Sequence, residues 1–281
     1  MNSLQSLWGY GPLLVSGIFR LQDVCFHETR AGYPYMRLCL EDFSGTLPAY
    51  AWKEDVYRGL YLPNYSLVHV EGRSRYFENK LRVDMDCITP VAKKKPGDVI
   101  RLIPQSVCPL PWLLPTLQLV VNQISIAPLQ HFVEAVLADD GISFAFVSAP
   151  ASLNHHHNYP GGLLVHSLEC ASMVKKHREF EQESYELGIV AALFHDIGKV
   201  LTLTYQMERT SLGQSIDHDK LTLEVLAPYL KRLETEWPQG ATELRYLLTW
   251  KIKKPVPHYN MADLVTCCDR ISSGLDQQKR A

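Results

Sequence analysis

The sequence predicts an α+β chain in two parts, a small five-stranded β-barrel followed by an all-α region. Three observations carry this reading. Short alternating apolar runs separated by turn residues fill about the first ninety positions. A stretch rich in proline and lysine follows, and from about residue 116 apolar residues recur at helical spacing. At 281 residues the chain is longer than one usual domain. The predicted boundaries are 1–92 for the barrel, 93–115 for a linker and 116–281 for the helical part.

The strands are placed as follows. Residues 13–19 form a β-rich run, and residues 35–40 alternate between apolar and other side chains. Asp42-Phe43-Ser44-Gly45 is turn chemistry, and residues 46–52 make a third strand. Residues 54–60 suit a helical turn. Residues 66–76 make a fourth strand with Val68, Val70 and Gly72 on alternate positions; Glu78-Asn79-Lys80 turns the chain and 81–91 return as the fifth. Five strands with a small element between the third and fourth follow the order of an OB-fold. The run from Gly17 through "YPYMRLCLEDFSGTLPAYAW" to "LVHVEGRSRYFENKLRVDMDCITPV" resembles an OB-fold nucleic-acid-binding domain. Single-strand binders need exposed π-faces beside cations. Tyr35, Tyr50, Trp52, Tyr76 and Phe77 supply rings, and Arg37, Arg73, Arg75 and Arg82 supply charge. Tyr35, Trp52, Arg37 and Arg75 are the expected substrate contacts, with barrel core as the alternative for each ring taken singly.

Residues 93–115 hold Lys93-Lys94-Lys95-Pro96-Gly97 and Pro104, Pro109, Pro111 and Pro115, which disfavour helix and sheet alike. Helical spacing then appears at Leu117, Val120, Val121 and Ile124, and again at Phe132, Val133, Val136 and Leu137. Further helices are expected over 163–176, 187–194, 221–233, 243–250 and 261–275, with Pro228 kinking the third of these. Residues 187–194 are nearly all apolar, so that helix should be central.

At its end stands Phe194-His195-Asp196-Ile197-Gly198-Lys199. A buried histidine and carboxylate side by side are costly unless paired or metal-bound, and the pair suits Mn²⁺, Fe²⁺ or Zn²⁺. Gly198 would let the chain leave the helix. The competing reading is a solvated helix end. Upstream, Gly161-Gly162 opens a helix that carries His166, and downstream Asp269 lies among Leu264, Val265, Cys268 and Ile271 near a core face.

This order of H, then HD, then D resembles the HD superfamily of metal-dependent phosphohydrolases. "PASLNHHHNYPGGLLVHSLECA" followed by "AALFHDIGKV" is similar to the HD domain of YhaM-type 3′→5′ exoribonucleases and of TraI-like conjugative-element proteins. The exoribonucleases join an OB-fold to an HD domain in this order. The resemblance implies His166, His195, Asp196 and Asp269 as metal ligands and His218 as a ligand of a second ion, with a solvated histidine at a helix start as the alternative for His218. Asp196 and Lys199 are the catalytic candidates, with Lys199 on a phosphate, or else simply exposed. It implies His156 and His157 at the rim, holding substrate phosphate; a plain polar loop is the alternative for the triplet with His155. One departure stands out. The family's paired histidine before the last aspartate is missing, since the stretch reads Leu247-Leu248-Thr249-Trp250-Lys251, and His258 lies beyond Pro255 and Pro257.

A net charge of -2 and a pI near 6.6 argue against tight nonspecific duplex binding, though Lys93–Lys95 and Lys251, Lys253 and Lys254 could act locally. Seven cysteines without a CxxC pair argue against a zinc knuckle. No apolar run of about 18 residues and no leader pattern are seen, which reads as a soluble cytoplasmic protein without a membrane partner. The expected function is a metal-dependent nuclease on single-stranded RNA or DNA, a 3′→5′ exonuclease, using one or two divalent ions. Mn²⁺ is placed first, with Mg²⁺, Fe²⁺ or Ni²⁺ as alternatives, and a homo-oligomer is left open. The alternatives are an HD nucleotide phosphohydrolase and a nucleic-acid-binding accessory protein with a degenerate site.

Overall fold

A computed structural model describes residues 3–8, 12–95, 97–249 and 260–280. The chain divides into two compact units, Met1–Ser106 and Val107–Ala281. In the first, β1 (Leu14–Glu28), β2 (Pro34–Asp42), β3 (Gly45–Ala51), β4 (Leu67–Phe77) and β5 (Lys80–Pro90) close a barrel in the order β1-β2-β3-β5-β4. A short 3₁₀ turn, Glu54–Val56, stands between β3 and β4, so element order and closure are those of an OB-fold. The period-two pattern fills the barrel. Met36, Leu38 and Leu40 of β2, Leu47, Ala49 and Ala51 of β3, Val68 and Val70 of β4, and Leu81, Val83 and Met85 of β5 share one core.

β1 runs nine residues past the apolar stretch that marks it in the sequence. The register shifts between Gln22 and Cys25, and Asp23 takes a positive φ of 53°. Beyond this bulge β1 pairs only with β2, through Cys25–Arg37 to Glu28–Pro34, and its side chains are mostly exposed. Pairing, not apolar content, extends the strand there.

The expected linker at 93–115 is corrected. Val99, Ile100, Leu102 and Ile103 are buried. Arg101 O accepts from Phe43 N at 2.9 Å, and Arg101 Nη2 donates to Ile18 O at 3.0 Å. Buried Arg20 donates through Nε to Leu102 O at 3.0 Å. This segment therefore completes the barrel unit, and the division falls after Ser106. Two of the prolines fit because they stand at element starts: Pro111 opens a 3₁₀ turn, Pro111–Leu113, and Pro115 lies in the first turn of α1, where no amide donor is needed.

The second unit contains α1 (Leu114–Asn122), α2 (Ala127–Ala138), α3 (Asp140–Ser148), α4 (Gly162–Val174), α5 (Gln182–Phe194), α6 (Lys199–Thr202), α7 (His218–Glu236), α8 (Pro238–Thr249) and α9 (Asn260–Arg280). α7 continues through Pro228. α3 is short and has no clear apolar period; it forms because the Asp139 side chain accepts from Gly141 N and Ile142 N. α5 is central, with Glu186 to Phe194 all buried, and α4 and α9 pack against it. Among the described residues no helix is long and apolar enough to cross a membrane.

Glu186 is the one acidic side chain in that apolar run. It accepts from Ser125 N at 3.0 Å, Ser125 Oγ at 2.6 Å and Ile126 N at 2.9 Å, tying the entry of α2 to α5. Glu186→Ala leaves these buried donors unpaired. It is expected to cost about 3 kcal/mol, read as a drop in the urea midpoint with unchanged m-value.

Candidate active site

α4 and α9 bring one side chain each to a common point, and the two residues after α5 add two more. His166 lies on α4, His195 and Asp196 directly follow α5, and Asp269 lies on α9. His166 Nε2 is 3.2 Å from His195 Nε2, 3.1 Å from Asp269 Oδ1 and 3.6 Å from Asp196 Oδ2. His195 Nε2 is 3.5 Å from both Asp196 Oδ2 and Asp269 Oδ1. His166 is fully buried, and His195 and Asp196 nearly so.

The hydrogen bonds on the far side of each ring decide what these nitrogens carry. His195 Nδ1 lies 2.9 Å from Ala192 O, which can only accept, so Nδ1 holds the proton and Nε2 is bare. Ser272 Oγ donates to Glu169 Oε2 at 2.6 Å, which leaves it an acceptor for His166 Nδ1 at 2.9 Å. His166 Nε2 is then bare as well. Two bare nitrogens 3.2 Å apart do not form a hydrogen bond with each other. With the carboxylates they make a nest of acceptors that suits a cation. Ligands about 2.1 Å from one ion lie about 3.0–3.5 Å apart, and the His166, His195 and Asp269 atoms stand 3.1 to 3.5 Å from one another. The donor set therefore fits a divalent metal.

Electrostatics agree. Burial pushes the His166 pKa down, only partly opposed by Asp269, so the ring stays neutral as a ligand must. Burial would raise Asp196, but Lys199, His195 and His218 outweigh it and hold the carboxyl well below the usual range. Lys199 is buried with Nζ 2.6 Å from Asp196 Oδ2. It is neither an exposed lysine nor free to reach outward while that bond stands.

Asp196 faces two ways. Its Oδ1 is 3.3 Å from His218 Nε2, which is also 3.3 Å from Asp219 Oδ1. His218 reaches this place because α7 starts close to the turn after the HD pair. Gly198 is not left-handed, with φ -58°, so the reason for glycine differs from the expected helix exit. A Cβ there would stand 2.1 Å from His218 O. Likewise Gly161 takes a positive φ of 82° to open α4, while a Cβ on Gly162 would stand 2.0 Å from His157 O.

The histidine triplet separates. His155 is exposed. The His156 ring is 4.9 Å from that of His166, and its buried Nε2 has no hydrogen-bond partner among the described residues. His157 is 1% exposed, so it is not at a rim. Its Nε2 is 3.2 Å from Glu169 Oε2, and its amide donates to Asp276 Oδ2 at 2.7 Å. Cys170 Sγ lies 4.0 Å from both nitrogens of His166.

Ser272, Asp276 and Glu169 were missed in the sequence. The available signal was spacing: Ser272 and Asp276 follow Asp269 by three and seven residues on one helix face, and Glu169 follows His166 by three. Trp250, Lys251, Lys253, Lys254 and His258 lie outside the described residues. Leu247 and Leu248, where the resembling family has a histidine nearby, are core side chains of α8.

On the barrel, Tyr35 and Arg37 of β2, Tyr50 of β3 and Trp52 just beyond it come together. The Tyr50 and Trp52 rings stack at 5.2 Å and 4°, and Tyr35 stands 4.9 Å from Trp52. Trp52 is 40% exposed. Arg75 is not free: its Nε is 3.2 Å from Asp84 Oδ2.

Residues 163–262 match the family model of the HD domain. The helical unit carries an HD domain. A second model, TraI_2, whose description names a helicase, matches residues 118–182. Curated relatives include the 3'-5' exoribonuclease YhaM of Bacillus subtilis (strain 168), 18% identical over 89% of this chain and 82% of the relative. That of Bacillus pumilus (strain SAFR-032) is 21% identical over the same shares. A solved structure of a replication protein A heterotrimer bound to ssDNA aligns at 18% identity and a TM-score of 0.24, covering 30% of this chain and 59% of that one. The HD domain and these relatives make this chain a metal-dependent hydrolase.

Two outcomes follow from the geometry. Gly198→Ala should push α7 from the HD turn and cost about 1–3 kcal/mol, measured by chemical unfolding. Burial first, then His166 and Lys199, lowers the pKa of His156 from 6.5 to about 4. The unfolded chain therefore takes up a proton that the folded one refuses. Stability of the metal-free protein should fall as pH drops from 6.5 toward 4, and His156→Gln should flatten that slope.

Proposed function

We propose that this HD-domain hydrolase cleaves phosphodiester bonds of single-stranded RNA or DNA, working 3′→5′ from an end. The observation that carries the reading is the nest of bare acceptors at His166, His195, Asp196 and Asp269, in one chain with a barrel that displays stacked rings. The 3'-5' exoribonuclease relatives, aligned over most of both chains, support it.

The four side chains would hold one divalent ion, with Mn²⁺ the first choice for a set of imidazoles and carboxylates. Such an ion polarises a phosphoryl oxygen and acidifies water. His218 and Asp219, with Asp196 Oδ1, supply a separate, more exposed set for a second ion. Asp219 would supply a carboxylate ligand in a chain that lacks the family's paired histidine. Lys199 keeps Asp196 ionised and oriented. His156, with its unpartnered Nε2 beside His166, is the group placed to donate to a substrate phosphate. His157 contributes by holding Glu169, and through it Ser272 and His166, rather than by touching substrate. In the barrel, Tyr35, Trp52 and Arg37 would contact the strand.

The test is degradation of 5′-labelled single-stranded RNA and DNA with Mn²⁺. A ladder of shortening products is expected for wild type, abolished by Asp196→Ala and by EDTA and restored by added Mn²⁺. No cleavage of either strand with Mn²⁺, Mg²⁺, Fe²⁺ or Ni²⁺ would count against a nuclease and favour a small-nucleotide substrate or a binding role. Ser272→Ala removes the acceptor behind His166. It should weaken Mn²⁺ binding by about 10–100-fold in calorimetry while the fold is retained.

A further inference from the structure

Asp84 of β5 gathers one row of rings on the surface of the barrel. Trp52 Nε1 donates to its Oδ1 at 2.9 Å. Arg82 Nε lies 3.1 Å from the same oxygen, and Arg75 Nε 3.2 Å from Oδ2. The Arg82 guanidinium in turn lies over Phe77 at 4.8 Å, Tyr50 at 5.2 Å and Trp52 at 5.3 Å. On the other side of Trp52 the line continues through Tyr35 to His27, whose rings stack at 5.4 Å. One carboxylate thus orients the indole, places a cation among three rings and joins the β1–β2 arm to the β4–β5 hairpin.

The charge balance of this face is unusual for a strand-binding surface. Arg75 and Arg82 share the one carboxylate of Asp84, so part of their charge is offset and only a small positive excess, with Arg37 beside it, faces a phosphate. The rings are what the surface offers: Phe77 is 54% and Trp52 40% exposed. A surface of this kind holds a strand by its bases, whose π-faces are common to every sequence, and gains little from phosphate neutralisation.

We propose that the His27–Tyr35–Trp52–Tyr50–Phe77 face binds single strands by base stacking with weak salt dependence, and that Asp84 is its positioning residue. This rests on the nucleic-acid reading above, and the experiment separates the two. The full wild-type chain in EDTA is titrated against fluorescein-labelled strands of about ten nucleotides: oligo-A, oligo-U and an abasic oligomer of equal length. Binding of oligo-A and oligo-U with at least tenfold weaker binding of the abasic strand is expected. The slope of log K against log salt should be about -1.4 or shallower, equivalent to no more than about two phosphates.

Asp84→Ala should weaken oligo-A binding about tenfold or more, reduce the quenching of tryptophan emission by the strand, and steepen the salt slope as Arg75 and Arg82 are freed. In a Trp52→Ala background it should weaken oligo-A binding little further, because both changes remove the same contact. Asp84→Asn keeps an acceptor for Trp52 Nε1 and should recover the quenching. It also serves if the alanine variant does not fold. Equal binding of the abasic strand, a steep slope in wild type, or full additivity of Asp84→Ala with Trp52→Ala would overturn the proposal while leaving a strand-binding protein. Failure of all strands to bind would overturn it together with the single-strand substrate.

Discussion

Pointing two unprotonated imidazole nitrogens and two carboxylates at one spot is costly unless a cation sits among them, and much of the helical unit answers to that constraint. Each ring is fixed from behind by an acceptor, Ala192 O for His195 and Ser272 Oγ for His166. Glu169 fixes Ser272, and His157 faces Glu169. The chain of contacts spans α4, α9 and the loop before α4, so the apolar packing of α5 against its neighbours and the polar network around it support the same geometry. Lys199 meets part of the electrostatic demand from within the chain, since its ammonium lies against Asp196.

The barrel solves a smaller problem with the same device. An exposed row of rings tends to collapse or to recruit partners indiscriminately. Here one carboxylate orders the row and the two guanidiniums around it, leaving the faces open while part of the local positive charge is offset. The bulge in β1 adds to this face, because the arm that it releases carries His27 and pairs with the strand that carries Tyr35.

Legibility in the sequence differs sharply between these parts. The strands show because Val68, Val70, Leu81 and Val83 alternate, and α5 because residues 187–194 are apolar throughout. The HD pair and His166 show because polar side chains at the ends of apolar helices stand out locally. α3 and the outer half of β1 do not show, since a cap and a ladder partner make them. The segment 93–115 misleads because its prolines suggest an open linker, whereas Val99–Ile103 pack onto the barrel and Pro111 and Pro115 begin turns.

By itself the sequence determined the two-part α+β order and the identity of the four inward-facing metal-binding candidates, because period and residue type are local properties of the chain. The tertiary structure alone decided what those side chains are to one another. That Lys199 turns inward onto Asp196, that His157 is buried against Glu169 rather than standing at a rim, and that Asp84 gathers Trp52, Arg75 and Arg82 depend on distances between separate elements. Such distances are set by helix packing and strand register, which couple residues far apart in the chain and leave only faint traces in local pattern.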